Sequence, residues 1–210
     1  MKFKMNVPNT LTMVRIFCTP LLILMFLLPI PQGIGIFVAL GVYVLACITD
    51  FLDGYIARKY NLITDFGKFM DQIADKFLTT TAMFLVLFAS KTVVTSNWLA
   101  VVMFLIVILR DILISGIRMV AANKNVVIAA DIYGKVKSFF LDVASMILIL
   151  YVGLVEVLSC EFLSYVRIFG LSLMIIGVVL TIVSCVNYTI SAIKQLTKDS
   201  VEVEAQDEEE

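Results

Sequence analysis

Six apolar segments follow one another along this chain, at about residues 11–28, 33–59, 65–89, 97–122, 131–152 and 162–194. Each is close to or above the roughly 20 residues that a helix rising 1.5 Å per residue needs to cross about 30 Å of hydrocarbon. Lipid offers a backbone amide no water, so every such segment has to satisfy its hydrogen bonds within itself. The chain therefore reads as all-α, an integral membrane protein with six transmembrane helices. With 61% of its residues hydrophobic and 16% charged, it is excluded from the ordinary soluble class. The first segment is long and lacks a small-residue cleavage site, so it is expected to remain as a membrane helix, not to be removed as a signal peptide.

The cations sort the segments by side. Lys2, Lys4, Arg58, Lys59, Lys68, Lys76, Arg118, Lys124, Lys135, Lys137, Lys194 and Lys198 fall at or near one face of a six-span arrangement. The other face holds Lys91 and Arg167, in loops that also carry Glu156 and Glu161. By the positive-inside rule both termini are expected in the cytoplasm and the protein in the cell membrane, multi-pass. The closing stretch, KDSVEVEAQDEEE from Lys198, is acidic without hydrophobic periodicity. Residues 196–210 are accordingly expected to form a disordered tail after a catalytic membrane domain at 1–195. Four scattered cysteines without a CxxC pair argue for neither a disulfide framework nor a zinc site. Histidine is absent from the sequence, so any general base is a carboxylate, lysine, tyrosine or cysteine.

Against this apolar background, DFLDGYIARKYNLITDFGKFMDQIAD stands out. Asp50 and Asp53 are three apart and share a face near the end of the second segment. Asp71 and Asp75 are four apart and share a face at the start of the third. The short connection makes the two helices antiparallel neighbours, so two pairs of carboxylates converge. An aspartate at mid-bilayer costs roughly 2.5–3.5 kcal/mol, and clustered ones repel, so positive charge is required among them. One source is an ion-pair network with Arg58, Lys68 and Lys76. The other is a divalent cation, and oxygen-only ligands favour magnesium or manganese over zinc. Four carboxylates suffice for two such ions. Gly54, Gly67 and, less completely, Ala57 leave room for a ligand or for the facing helix.

Asp50, Asp53, Gly54, Ala57, Arg58, Gly67, Asp71 and Asp75 spell D-x2-D-G-x2-A-R-x8-G-x3-D-x3-D. This resembles the signature of the CDP-alcohol phosphatidyltransferase family, with every fixed position present. The resemblance implies six membrane helices with an active-site cavity open to the cytoplasm, covering residues from about 6 to 195. It implies Asp50, Asp53, Asp71 and Asp75 as metal ligands for Mg²⁺ or Mn²⁺, with Asp75 also the general base. It further implies Gly54, Ala57, Arg58 and Gly67 at the CDP-linked donor and a homodimeric assembly. A nucleic-acid partner is not expected.

The family divides by acceptor alcohol, and a phosphorylated acceptor requires a second anion site. RDILISGIRMVAANKN and DIYGKVKSFF supply Arg110, Arg118, Lys124, Lys135 and Lys137. Lys124 and Lys137 also read as ordinary positive-inside residues. Arg110, Arg118 and Lys135 are the better candidates for the acceptor phosphate, arginine gripping phosphate with a forked pair of donors. Asp111 and Arg118, seven apart, share a face and are expected to pair. NVPNTLTMVRI, RDILISGIRMVAA and GKVKSF are similar to the branch that joins CDP-diacylglycerol to glycerol 3-phosphate with release of CMP. The resemblance to that branch implies Asn9, Thr12 and Arg15 at the donor pocket; helix capping and interfacial anchoring are the alternative reading of these three. Branches using inositol phosphate, serine or phosphatidylglycerol are the alternatives. A cation transporter is the rival from another class, disfavoured because the sequence shows no internal repeat.

Overall fold

A computed structural model of the chain describes residues 7–28, 30, 33–60, 65–93, 97–123, 132–158 and 160–207. Among these the elements are all helical: α1 (Val7–Leu27), α2 (Ile34–Lys59), α3 (Asp65–Phe88), α4 (Ser90–Val93), α5 (Asn97–Asn123), α6 (Ile132–Val157) and α7 (Phe162–Asp207). Helices α1, α2, α5, α6 and α7 are long and apolar enough to cross a membrane, which makes the chain a multi-pass membrane protein. Helix α3 is different. Its 24 residues reach about 36 Å, but Asp65, Lys68, Asp71, Asp75 and Lys76 all lie in its first half. It is long enough to span and too polar there to face lipid on every side.

Two features depart from the expected outline. A single turn, α4, stands between the third and fourth long helices. Helix α7 continues to Asp207, through the acidic stretch read as irregular. No glycine or proline interrupts residues 178–207, and Glu202, Glu204, Ala205 and Gln206 are good helix formers, so local propensity extends the helix.

The helices group into two sets. Helix α1 packs on α2 and α3, while α7 packs on α5 and, most extensively, on α6; α6 in turn packs on α2 and α3 and joins the sets. Close approach of α6 and α7 depends on Gly170 and Gly177. A Cβ on either would lie 2.7 Å from the Cδ2 of Leu148 or Leu141, respectively. Such small-residue contacts let membrane helices gain dispersion energy where no hydrophobic drive separates protein from lipid. Gly33 starts α2 with φ 68, a left-handed conformation, and a Cβ there would lie 3.1 Å from the Gly153 carbonyl oxygen.

The buried core includes Leu22, Tyr43, Leu85, Leu141, Leu148 and Met174. Phe17, Leu45, Phe51, Ile112 and Val179 are exposed on the outside. In water such a surface would aggregate; in lipid it is the solvated face. Thr12, Arg15, Asp53, Thr79, Lys137 and Ser184 are buried instead, so the polarity lies inside the bundle.

Candidate active site

Two helices bring the acidic residues together, and a third supplies the opposite charge. Asp50 and Asp53 project from the last turns of α2, and Asp71 from α3. One carboxylate oxygen from each lies within 4.8 Å of the other two. Exposure is graded: the Asp53 side chain is 4% exposed, those of Asp50 and Asp71 41% and 52%. The cluster therefore has a closed floor and an open mouth. Helix α1 supplies the charge that holds it. Arg15 is fully buried; its Nη1 donates to Asp50 Oδ1 and, at 3.5 Å, to Asp71 Oδ1, and its Nη2 donates to Asp53 Oδ2 at 2.5 Å. The Thr12 hydroxyl, one turn earlier on α1, donates to Asp53 Oδ2 at 3.4 Å.

Asp75 stands apart from this triad. It is exposed, one turn further along α3, within electrostatic reach of Asp50, Asp71 and Arg15 on one side and of Asp142 on the other. Asp142 is held on α6 by two hydroxyls: Tyr43 donates to its Oδ1 at 3.0 Å and Thr79 at 2.9 Å. These bonds tie α2, α3 and α6 together beneath the acidic residues. A lone acid inside an apolar run, SFFLDVASM, is itself a signal of a functional position, and sequence reasoning passed it over.

A cationic network lies in the other helix set. Lys137, its side chain 4% exposed, donates to Asp111 Oδ1 at 2.6 Å, and Arg110 Nη1 donates to the same oxygen at 2.9 Å. Arg110 Nη2 donates to Ser184 Oγ on α7 at 2.6 Å. Gly134 makes room for this, since a Cβ there would sit 3.3 Å from Arg110 Nη2. Arg118 lies two turns further along α5, exposed, stacked 5.5 Å from the Tyr188 ring centroid with its Nε donating to the Tyr188 hydroxyl at 3.2 Å. Lys137 is within electrostatic reach of Asp75, so Asp75 interacts with both the acidic triad and the cationic network.

Several expectations are corrected by these contacts. Asp111 pairs with Arg110 and Lys137, not with Arg118, because α7 offers Tyr188 to Arg118 first. Lys137, read among the positive-inside residues, is buried and ion-paired. Among the cations named as neutralisers of the aspartates, Lys76 instead donates to Ser115 Oγ on α5. Arg15, read as lining a donor pocket, is the cation that meets the triad among the described residues. Gly54 follows Asp53 on α2, Ala57 is half-buried one turn on, and Gly67 lies one turn before Asp71 on α3. The side chains of Asn9, Arg58, Lys68 and Lys135, and all of Lys124, lie outside the described residues.

The fold and the site together define a class: a multi-pass helical membrane protein built round an oxygen-only cluster suited to a hard divalent cation. The chain belongs to the CDP-alcohol phosphatidyltransferase family, whose model matches residues 5–185, a range that contains all eight motif positions. It is a transferase of phospholipid biosynthesis. Over 152 residues it is 40% identical to a CDP-diacylglycerol–glycerol-3-phosphate 3-phosphatidyltransferase of Rickettsia bellii (strain RML369-C), covering 71% of this chain and 78% of that one. The protein of the same name from Bacillus subtilis (strain 168) is 31% identical over 167 residues, 75% of this chain and 83% of its own. That of Shigella flexneri serotype 5b (strain 8401) is 32% identical over 189 residues, 89% of this chain and 94% of its own.

Proposed function

We propose that the protein transfers the phosphatidyl group of CDP-diacylglycerol to sn-glycerol 3-phosphate, giving phosphatidylglycerophosphate and CMP. The observation that carries this reading is an oxygen-only triad, Asp50, Asp53 and Asp71, on α2 and α3 and a separate network of basic side chains on α5 and α6, within a chain of this family. Asp50, Asp53, Asp71 and Asp75 would hold the divalent cations, Mg²⁺ or Mn²⁺, for which two ions are the expected number. The fit rests on the donor set: three carboxylate oxygens within 4.8 Å of one another, already satisfied by a cationic side chain, Arg15. When bound, such ions neutralise the diphosphate and the charge that develops on departing CMP.

The protein's own groups do the rest. Gly54, Ala57, Arg58, Gly67, Asn9 and Thr12 line the donor pocket. Arg110, Arg118 and Lys135 hold the acceptor phosphate, with buried Lys137 fixing Arg110 through Asp111. Asp75 takes the proton from the acceptor hydroxyl as its oxygen bonds to the lipid-side phosphorus; the bond to the CMP oxygen breaks and CMP leaves with the electron pair. Alignment of this kind is most of what displacement at phosphorus asks of a protein.

Helix α3 serves as the sixth span, its polar half facing the bundle interior, and the cavity opens to the cytoplasm with both termini on that side of the cell membrane. Residues 1–195 form the catalytic domain and 196–210 lie outside it. A homodimer is the expected assembly. The test is an acceptor panel with the full chain in detergent: CMP release is expected with glycerol 3-phosphate and a divalent cation together, and to vanish with EDTA. Release with inositol phosphate or serine but not with glycerol 3-phosphate would reject the assignment.

A further inference from the structure

We infer that Arg15 is a removable counter-cation of the aspartate triad, occupying in the metal-free protein the place a divalent cation takes on loading, so that the two compete. The inference rests on the metal-dependent reading above and adds to it a role for a residue of α1.

Three observations carry it. Both Nη atoms of Arg15 are engaged by the same carboxylates whose oxygens cluster within 4.8 Å, namely those of Asp50, Asp53 and Asp71. A guanidinium and a hard divalent cation seek the same lone pairs and cannot both hold them at contact distance. Second, the fit of Arg15 is incomplete: the residue is 1% exposed and its Nε has no hydrogen-bond partner among the described residues. A purely structural buried arginine gains by satisfying every donor, and an unmet one raises the free energy of the metal-free arrangement. Third, among the described residues one positive charge faces three carboxylates. The arginine lowers their mutual repulsion without cancelling it, which leaves a driving force for a doubly charged ion.

The consequence is a built-in cost on metal binding. An ion that must displace Arg15 binds with an apparent affinity reduced by the fraction of protein in which the triad is free. Displacement also releases a forked donor from the floor of the same cluster, and a fork of this kind suits a phosphate oxygen pair.

The test is Mn²⁺ binding to the full chain in detergent micelles, read from the electron paramagnetic resonance signal of free Mn²⁺, with neither substrate present. Arg15→Gln is expected to bind Mn²⁺ at least about tenfold more tightly than the wild type, since it removes a unit charge in contact with the ligands. Arg15→Lys should fall between the two, a point charge gripping fewer carboxylates than a fork. Equal or weaker binding by Arg15→Gln overturns the inference, because an arginine that merely braces the aspartates would lower affinity when removed. Should Arg15→Gln fail to fold, Arg15→Lys decides: tighter binding than wild type supports competition, and equal or weaker binding rejects it. Asp53→Asn separates this inference from the functional reading. If the wild type binds Mn²⁺ no better than Asp53→Asn, the triad is not a cation site and both fail; if it binds better while Arg15→Gln matches the wild type, the competition alone fails.

Discussion

Two aspartates of one motif have different physical situations, and their variants should separate chemistry from folding. Asp53 is buried and paired with Arg15, which has its charge on the dry floor of the cluster. Asp53→Ala leaves that guanidinium short of a partner, and loss of one member of a buried pair costs about 3–5 kcal/mol. Equilibrium unfolding in mixed micelles should show that loss together with loss of activity. Asp75 is exposed and carries none of the described ion pairs, so Asp75→Asn should unfold with the wild type while its turnover falls at least about 100-fold, the lower end for a general base. At this scale the motif was legible, because i, i+3 and i, i+4 spacings place side chains on one helix face regardless of the partner. Arg15 as the counter-ion was not, nor was the Asp142–Tyr43–Thr79 contact. Which helix faces meet depends on rotation about each axis, and local spacing says nothing of that. Asp142 nonetheless carried a readable signal as a lone acid in an apolar run.

At the scale of elements, α6 and α7 act as a pair set by two glycines seven residues apart. Replacing Gly177 by leucine forces a side chain against Leu141, already 2.7 Å from where a Cβ would stand. Overpacking of this kind costs about 1–3 kcal/mol. Gly177→Leu is therefore expected to lower the thermal unfolding midpoint, and through the shift of α7 to loosen Ser184 from Arg110. Gly41, with no atom within 4 Å of a built Cβ, is the internal control: Gly41→Leu should not lower the midpoint. The long helices were readable because apolar runs of this length have one way to satisfy their backbones in lipid. Helix α3 was read as a span on its length; its first half is polar, with Asp71, Asp75 and Lys76 exposed, and a linear apolar pattern does not say what that half faces. The extension of α7 ran against the charge pattern, since helix propensity needs no apolar face to persist to Asp207.

For the whole molecule, the orientation and the catalytic account stand or fall separately. Cys160 is exposed, in the connection between α6 and α7, while Cys18, Cys47 and Cys185 are half-buried within helices. With both termini cytoplasmic, a membrane-impermeant maleimide added outside intact cells should label Cys160, and Cys160→Ser should abolish that labelling. Labelling only from the cytoplasmic side would invert the topology. The central claim concerns the interior: carboxylates of α2 and α3 are gathered to hold a cation that grips a nucleotide-linked lipid. Anomalous diffraction from crystals grown with Mn²⁺ reports on this without kinetics. The account predicts a manganese peak bounded by the carboxylates of Asp50, Asp53 and Asp71; a well-ordered site lacking any such peak, or manganese bound only elsewhere, would contradict it.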